Sequence, residues 1–523
     1  MHLLNALVLA SGIIHPVFSS SILFPGATII AFDEEAEALK VIRNGALLVT
    51  DNKISGLYAA SEIPSAGDLP PDTEVVDSRH KIITPGFVDT HRHGWQTAMK
   101  TLASNTTLPD YLYRYRGDSA AAIYTAEDVY ISQLAGLLEA LNAGVTTTLD
   151  HAHHIWSTER SRAGLDASVA SGARVYWAPS FTAHGDYGVA AQIADVKGWV
   201  EERSGEGGDA LTTIAVAYDD WESPNTEETQ AVVDFVKDYK IPLLTTHWLG
   251  GAWPKNNHPE LLHSYSVLNT STAVVFSHGT GITPSSAALL RATDQFVSVT
   301  PESEMHYGHS HPAAHRVLDQ AALGVDTHFT FSTDLLTQAR LWLQRTRSRL
   351  YDDLVERWRI PAASPMSAAQ AFLLATRQGA RALRRPDLGA IKVGAKADLV
   401  VFDGRSPGLL GWNDPVAAVV LHAGVGDMVH VLVDGRFRKR DGRLTFAGYA
   451  DDVAERFLAS AERLQRLLLR APPPVLEGRM FGFGCEYARP EVVDVRRGDG
   501  DGYGELFLTT GTGEKAGNGH DEL

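Results

Sequence analysis

The chain has 523 residues, of which 44% are hydrophobic and 21% are charged, and this composition excludes both a small disulfide-stapled scaffold and a wholly disordered protein. The 63 acidic residues outnumber the 46 basic ones and give a net charge of -17, so we expect no nucleic-acid partner and no attraction to anionic lipid surfaces. The single cysteine, Cys485, excludes an intramolecular disulfide and a thiolate metal cluster, which leaves histidines and carboxylates as candidate metal ligands.

Both ends of the chain resemble targeting signals. Residues 3–14 are nearly all apolar but too few to cross a bilayer, and Val17 and Ser19 are the small residues that a signal peptidase requires. The last four residues, His-Asp-Glu-Leu, match a retrieval signal of the endoplasmic reticulum. We therefore expect a signal peptide over 1–19 and residence in the reticulum lumen, with a cytoplasmic location as the alternative. Asn105 and Asn269 then become candidate glycosylation sites, although two such sequons could also be accidental.

Short β segments appear near both ends of the chain. The N-terminal ones are Ala27–Phe32, Gly45–Asp51, Lys53–Tyr58 and Val75–Ile83, and the C-terminal ones are Ala397–Phe402, Ala417–Leu421 and Met428–Val433. This arrangement predicts a composite β-sandwich built from residues 20–82 and 386–446. Beyond it, an amphipathic helix over 450–470 and a loop-rich tail make up a C-terminal segment, 447–523.

Between these segments, apolar β-rich runs alternate with amphipathic helical patterns such as Glu127–Asn142. The eight runs end near Asp89, Asp150, Ser180, Tyr218, His247, His278, Thr300 and Asp334. Alternating strands and helices over such a length predict an α/β fold, a parallel (β/α)8 TIM barrel over residues 83–385.

Histidines and a carboxylate end several of these predicted strands. His91 and His93 close the first strand, and side-chain alternation points both imidazoles into the mouth of the barrel. Because the carboxyl ends of barrel strands converge, His247 from the fifth strand and Asp334 from the eighth can join them. Three imidazoles and one carboxylate predict a site for a divalent cation, zinc or iron(II), with a water molecule completing its coordination.

Several segments together closely resemble the amidohydrolase superfamily, in particular its branch of cytosine deaminases and chlorotriazine hydrolases. The segments are Thr84-Pro85-Gly86-Phe87-Val88-Asp89-Thr90-His91-Arg92-His93, His247, His278, Ser332-Thr333-Asp334 and Gly394-Ala395-Lys396-Ala397-Asp398-Leu399-Val400. The resemblance spans about residues 22–445 and implies a barrel with a composite β-sandwich. It also implies a single metal ion held by His91, His93, His247 and Asp334, because the fourth strand ends at Tyr218-Asp219-Asp220 without the lysine of two-metal members.

The resemblance further implies a hydrolytic mechanism. A bound divalent cation makes a water molecule acidic enough to attack at neutral pH. Asp334 would take the proton of this water and pass it to the leaving nitrogen, and His278 would lie beside the metal to orient the water or stabilise the developing oxyanion. For His278, a fourth metal ligand or a buried structural residue is the alternative.

One position departs from the deaminases of this branch. They commonly carry His-x-x-Glu on the fifth strand, whereas this chain has His247-Trp248-Leu249-Gly250, and glycine cannot protonate a ring nitrogen. Glu302, in a Thr-Pro-Glu-x-Glu segment similar to one in fungal and actinobacterial amidohydrolases, is the candidate substitute acid and substrate contact. A role only in hydrogen bonding within the loop is the alternative. The histidines that follow it suggest a solvated or substrate-lining loop rather than a second metal cluster; they are His306, His309, His311 and His315.

Residues beside the predicted metal ligands are candidates for substrate binding. Trp95 could stack on a planar substrate, Gln96 and His151 could hydrogen-bond to it, and His306 could line the same pocket. Core packing or support of the metal ligands is an equally good interpretation of Trp95, Gln96 and His151.

The sequence therefore predicts a mononuclear metal-dependent hydrolase of a non-peptide carbon–nitrogen bond in a small cyclic or aromatic molecule, with zinc favoured and iron as the alternative. An amide, cyclic amide or amidine is the leading substrate class. Deamination or dehalogenation of an N-heteroaromatic ring, and an inactive binding scaffold, are the alternatives. We expect a small-molecule substrate and no membrane insertion, and a homo-oligomer is compatible with the sequence.

Overall fold

The computed structural model describes residues 21–206, 210–253, 255–309, 313–482 and 484–490, together with a short pair of strands at 496–497 and 500–501. The expected signal peptide, the terminal His-Asp-Glu-Leu and His311 lie outside the described residues. Asn105 and Asn269 are both exposed. Within the described ranges, no helix combines the length and the apolar character needed to cross a membrane.

The described residues form an α/β structure. The strands are β1 Ser21–Asp33, β2 Ala38–Thr50, β3 Lys53–Tyr58, β4 Glu74–Val75, β5 Lys81–Pro85, β6 Phe87–Arg92, β7 Val145–Ala152, β8 Arg174–Pro179, β9 Thr212–Ile214, β10 Val216–Ala217, β11 Leu243–Leu249, β12 Lys255–Asn256, β13 Ala273–Thr280, β14 Phe296–Val299, β15 Ala321–Leu323, β16 Leu399–Asp403, β17 Met428–Val433, β18 Arg436–Arg440, β19 Arg443–Leu444, β20 Arg496–Arg497 and β21 Gly500–Asp501. The helices are α1 Leu108–Arg114, α2 Gly117–Ala121, α3 Ala126–Asn142, α4 Thr158–Ser171, α5 Val189–Arg203, α6 Thr226–Asp238, α7 Pro259–Ser264, α8 Pro284–Thr293, α9 Pro301–His306, α10 Leu335–Val355, α11 Ala368–Ala375, α12 Arg377–Ala382, α13 Pro415–Ala417 and α14 Ala454–Arg470.

Both ends of the chain contribute to one mixed sheet of nine strands. Its order is β19-β18-β17-β16-β5-β1-β2-β3, with β4 paired to β1. The two halves meet where β5 runs antiparallel to β16, with Ile83 opposite Val401. A composite β unit built from both ends of the chain is therefore present.

The predicted strand over Ala417–Leu421 is wrong, because this segment is helical. Asp414 caps α13 by accepting hydrogen bonds from the backbone N–H groups of Val416 and Ala417, and Pro415 occupies the first helical position. These two helix-start signals outweigh the β propensity of the valines that follow.

The remaining long strands form two parallel sheets. Their orders are β6-β7-β8-β9 and β10-β11-β13-β14-β15, with the short β12 paired to β11. A bridge between Ser180 and Ala217 joins β8 to β10, and a second bridge between Arg92 and Asp326 joins the other ends of the two sheets. Seven of the predicted strand positions agree with this arrangement, and the carboxyl ends of the strands meet on one side.

The predicted eighth strand, ending near Asp334, is wrong. The strand is β15, which pairs with β14 through Val299 and Leu323, and the chain then hydrogen-bonds from the N–H groups of Val325 and Asp326 to the carbonyl of His91. The segment that follows is a turn leading into α10. The residue that closes the eighth strand position is therefore Asp326 and not Asp334.

A buried ion pair ties the composite sheet to the parallel strands. Arg174, at the start of β8 and 2% exposed, donates through Nε and Nη2 to the two carboxylate oxygens of Asp398, both at 3.1 Å. Asp398 immediately precedes β16, and its carbonyl accepts the N–H of Gly86. This contact fixes the start of β6, and β6 carries the first candidate metal ligands.

Candidate metal centre and substrate pocket

The imidazoles of His91 and His93 face the carboxylate of Asp326. Both histidines are buried at the end of β6. Nε2 of His91 lies 3.2 Å and Nε2 of His93 lies 3.1 Å from Oδ1 of Asp326. On the other side of the carboxylate, Nε2 of His278 lies 4.0 Å from Oδ2. Donor atoms of His91, His247, His278 and Asp326 all lie within 4.8 Å of one another, a spacing compatible with a shared metal ion.

Three of these imidazoles have Nδ1 engaged elsewhere. Nδ1 of His91 contacts Oγ of Ser277 at 2.8 Å, and Nδ1 of His93 donates to the His151 carbonyl at 2.7 Å. Nδ1 of His247 donates to Oδ2 of Asp219 at 2.8 Å. A neutral imidazole that donates from Nδ1 has a lone pair and no proton on Nε2. Nε2 of His93 is therefore an acceptor, and it faces a carboxylate oxygen, which is also an acceptor. A divalent cation satisfies such a pair, and the donor set fits zinc or iron.

Asp219, at the end of the fourth strand position, holds His247 in place. Its Oδ1 also accepts from the backbone N–H of His247 at 2.8 Å and from Oγ1 of Thr246 at 3.2 Å. The sequence pattern indicates only that no lysine ends the fourth strand, and it does not reveal this contact of Asp219. Support of a metal-binding imidazole by a carboxylate is a common arrangement.

Burial determines the protonation of these groups. Burial lowers the pKa of His91 well below its usual range and that of His247 to about 3, so both are neutral. Neutral imidazoles and an ionised carboxylate are the forms that bind a metal.

The structure corrects the placement of Asp334. Its carboxylate caps α10, where it accepts from the backbone N–H of Leu336 and from Oγ1 of Thr337, both at 2.9 Å. This is ordinary N-cap geometry, and Asp334 is not in the group of donors around His91. Asp326, rather than Asp334, is therefore the carboxylate that lies among the candidate metal ligands. The apolar run Ala321–Val325 that precedes Asp326 is the signal that could have located it.

The carboxylate beside His278 is Glu304 and not Glu302. Glu302 lies on the outer side of α9, where it accepts from the Ser332 N–H and from Nε2 of Gln338. Glu304 is 2% exposed, and its Oε1 lies 3.5 Å from Nδ1 of His278. The segment after Pro301 is helical, so positions 302 and 304 face different directions.

Three predicted substrate contacts are buried outside the pocket: Trp95, Gln96 and His151. Trp95 is fully buried and donates through Nε1 to Nδ1 of His153 at 3.0 Å. Gln96 donates to the Tyr111 hydroxyl and to the Tyr115 carbonyl. His151 is fully buried, 3.5 Å from the Asp219 carboxylate. None of these three predicted substrate contacts lines the pocket, and each matches the alternative interpretation given above.

The histidine-rich loop contributes one ring to the pocket in the part that the structure describes. His306 points away, with Nε2 hydrogen-bonded to the Thr106 carbonyl at 3.0 Å, so its ring is not among the residues that line the pocket. His309 lines the pocket wall and is 2% exposed. His315 is half-buried on the short helical turn 313–316 and does not line the pocket.

A cavity of about 420 Å³ opens over the metal centre. Aromatic and apolar side chains form much of its wall, among them Leu108, Tyr111, Trp253, Tyr307 and Phe481. Two ion pairs at its rim, Lys255 with Asp220 and His184 with Asp118, add polar groups. A small planar molecule with a few polar atoms fits such a pocket.

The parallel strands, the three imidazoles and Asp326 define a metal-dependent hydrolase. Residues 82–438 match the model of the amidohydrolase family, and the chain belongs to this family. It is 26% identical over 424 residues to a 5'-deoxyadenosine deaminase of Methanothermobacter thermautotrophicus, covering 77% of this chain and 91% of that one. It is 23% identical over 437 residues to a 5-methylthioadenosine/S-adenosylhomocysteine deaminase of Thermococcus sibiricus, covering 76% and 90%.

Solved structures show the same fold. An atrazine chlorohydrolase from Arthrobacter aurescens TC1 complexed with zinc has a TM-score of 0.71 at 19% identity, with 85% of this chain and 100% of that one covered. A guanine deaminase from C. acetobutylicum has a TM-score of 0.67 at 15% identity, with 80% and 100% covered. The predicted family and branch are confirmed, and the protein is a metal-dependent hydrolase acting on carbon–nitrogen bonds of small molecules.

Proposed function

We propose that this protein is a zinc-dependent hydrolase that removes an amino group from a small N-heteroaromatic ring. The observation that carries the proposal is the convergence of His91, His93, His247 and Asp326 beneath a pocket with aromatic walls. The deaminase relatives support an aminated heteroaromatic substrate over the amides that the sequence favoured, and the zinc-containing neighbour supports the metal. The proposal includes closure of the two parallel sheets into one (β/α)8 barrel, with the composite sheet as a separate domain.

The residues divide the reaction between them. A cation held by His91, His93, His247 and Asp326 would make a water molecule acidic enough to attack at neutral pH. Asp326 accepts a proton from the attacking water and returns it to the departing amine. The bond from carbon to the exocyclic nitrogen breaks and a carbon–oxygen bond forms. One water proton leaves with ammonia and the other stays on the product, so the atoms balance.

His278 and Glu304 form a pair beside this centre. Nδ1 of His278 lies 2.9 Å from Oγ1 of Thr300 and 3.5 Å from Glu304, and its Nε2 faces the pocket side of Asp326. Glu304 raises the pKa of His278 against the effect of burial, as do the charges of the nearby aspartates. A protonated or partly protonated His278 can donate a hydrogen bond to the oxygen that bonds to carbon.

The test is a screen of the zinc-reconstituted protein for ammonia, amine, halide and acid release. The panel contains aminated purines and pyrimidines, chlorotriazines, amides and cyclic amides. Ammonia from the aminated rings, lost in D326N, supports the proposal. Acid from amides alone would show that the amide class is correct, and a wild-type protein inactive on the whole panel would favour a binding scaffold.

We also propose that the protein resides in the lumen of the endoplasmic reticulum. The apolar segment over 3–14 and the terminal His-Asp-Glu-Leu are the two supporting features. Removal of residues 520–523 should send the protein into the medium of a eukaryotic host, with glycans at Asn105 or Asn269. Unchanged cytosolic fractionation after this deletion would contradict the proposal.

A further inference from the structure

His309 lies in the wall of the pocket, directly beside the metal centre. It follows α9, and its backbone N–H donates to the Glu304 carbonyl at 3.0 Å. Its ring meets the ring of His278 edge to face, with 4.8 Å between the centroids, and packs against Trp253 at 5.9 Å. It is 2% exposed, so its ring nitrogens have little access to bulk water. Backbone and ring contacts therefore fix the position of His309.

Neither ring nitrogen of His309 has a hydrogen-bond partner among the described residues. Every other histidine that lines the pocket has one: His93, His153, His184, His247 and His278. A buried polar group without a partner has lost its hydrogen bonds to water and gained none in return, so buried groups of this kind nearly always have partners in a folded protein. A partner supplied by a ligand in the pocket accounts for this exception.

The pocket also lacks a group that related deaminases carry. Gly250 stands where the fifth strand would offer a glutamate, and a Cβ atom at this position would lie 2.8 Å from the Thr280 carbonyl oxygen. The backbone thus leaves no room for a side chain at 250. A different residue must then polarise the substrate heteroatom that is bonded to the attacked carbon. His309, which follows the seventh strand position, faces the same cavity.

We propose that His309 contacts the substrate and donates a ring N–H hydrogen bond to the heteroatom bonded to the attacked carbon. This inference rests on the proposed function and names a catalytic residue for it. The acceptor is a ring nitrogen in an aminated heteroaromatic molecule, or a carbonyl oxygen in an amide. Burial lowers the pKa of His309 well below its usual range, so the ring is neutral, with one N–H donor and one lone pair. A neutral imidazole polarises an acceptor in this way in other enzymes.

The experiment compares H309A and H309N with the wild type, using as substrate the panel member that the wild type turns over fastest. H306N is the matched control, because the His306 ring lies outside the pocket and hydrogen-bonds to the Thr106 carbonyl. We expect H309A to lower kcat by about 10²-fold with little change in KM, the size of effect found for one lost transition-state hydrogen bond. The amide N–H of H309N should recover part of this loss. H306N should stay within twofold of the wild type.

Metal content and Tm are measured for every variant, so that a folding or metal-binding defect is recognised. A kcat for H309A within threefold of the wild type overturns the inference, and so does an equal loss in H306N. Acid release from amides alone would refute the proposed substrate class, and H309A would still be tested on those amides. A wild type without turnover is tested by thermal shift with the same panel; no shift, or equal shifts in wild type and H309A, overturns the inference.

Discussion

Nε2 of His93 lies 3.1 Å from Oδ1 of Asp326, although the proton of this imidazole is already donated from Nδ1 to the His151 carbonyl. Two acceptors at this distance repel each other unless a cation lies between them or a proton is added. The pair therefore requires a positive charge at the centre of the site.

The first prediction separates Asp326 from Asp334. D326N should lose bound metal and lower kcat roughly 10²–10⁴-fold, because it removes both a ligand and the proton acceptor. D334A should keep its metal and cost about 0.5–2 kcal/mol of stability, the usual effect of losing a helix N-cap. Metal analysis, kinetics and urea unfolding of both variants give the answer. Metal loss in D334A with full occupancy in D326N would reverse the assignment.

The second prediction concerns the carboxylate behind His247. D219N should weaken metal affinity by about 10–100-fold, because Asp219 fixes the ring orientation and proton position of His247. D220N is the matched control, since Asp220 pairs with Lys255 at the rim. Affinities are measured by competition with a chelator. Equal affinities in D219N and the wild type would rule out this role.

The third prediction compares the two glutamates of α9. E304Q removes the charge beside His278 and should lower kcat roughly tenfold or more, with a shifted pH profile, since the charge helps to stabilise protonated His278. E302Q should leave kcat within twofold, because the Glu302 carboxylate hydrogen-bonds to Ser332 and Gln338 and does not line the pocket. Identical pH profiles for E304Q and the wild type would count against this positioning role.

The fourth prediction concerns the contact between the composite sheet and β8. R174M leaves the buried Asp398 carboxylate without its guanidinium and should reduce the free energy of unfolding by about 3–5 kcal/mol. R162M breaks the exposed pair with Glu202 and should cost less than about 1 kcal/mol. Urea unfolding followed by tryptophan fluorescence measures both. Similar losses in the two variants would show that burial does not strengthen the Arg174 contact.

The fifth prediction is a pH dependence of stability that originates in Lys439. Burial lowers the pKa of this lysine to about 8, whereas it is about 10.4 in an unfolded chain. Between these values the unfolded state binds more protons, so this residue makes the protein more stable as pH rises from about 8 to 10. Relative to K439M, the wild type should gain on the order of 1–3 kcal/mol between pH 7.5 and 10, as measured by urea unfolding. Parallel pH curves for the two proteins would contradict the shifted pKa.

The sequence predicted the fold well where patterns were long and regular. Seven strand positions could be read from apolar runs that end at polar residues, and His91, His93 and His247 followed from them. The prediction of the eighth strand was wrong because β15 has only three residues. The longer β-rich segment that ends at Asp334 gives a stronger strand pattern. Glu302 was chosen over Glu304 for a different reason. The segment after Pro301 is helical, and only the orientation of this helix determines which glutamate faces His278.

The unpaired state of His309 was beyond sequence analysis altogether. A cluster of histidines after α9 was visible, yet only the three-dimensional contacts distinguish His306, which has a partner, from His309. The close approach of Gly250 to Thr280 likewise depends on backbone positions in two neighbouring strands.

Met480 and Phe481 line the pocket from a segment that follows α14, beyond residue 438 where the family match ends. The Phe481 ring packs on Tyr113 of α1 with 5.8 Å between the centroids. The candidate metal ligands thus lie inside the family match, whereas part of the pocket wall lies outside it. Substitutions in this tail are therefore expected to alter the shape of the pocket without removing a candidate metal ligand.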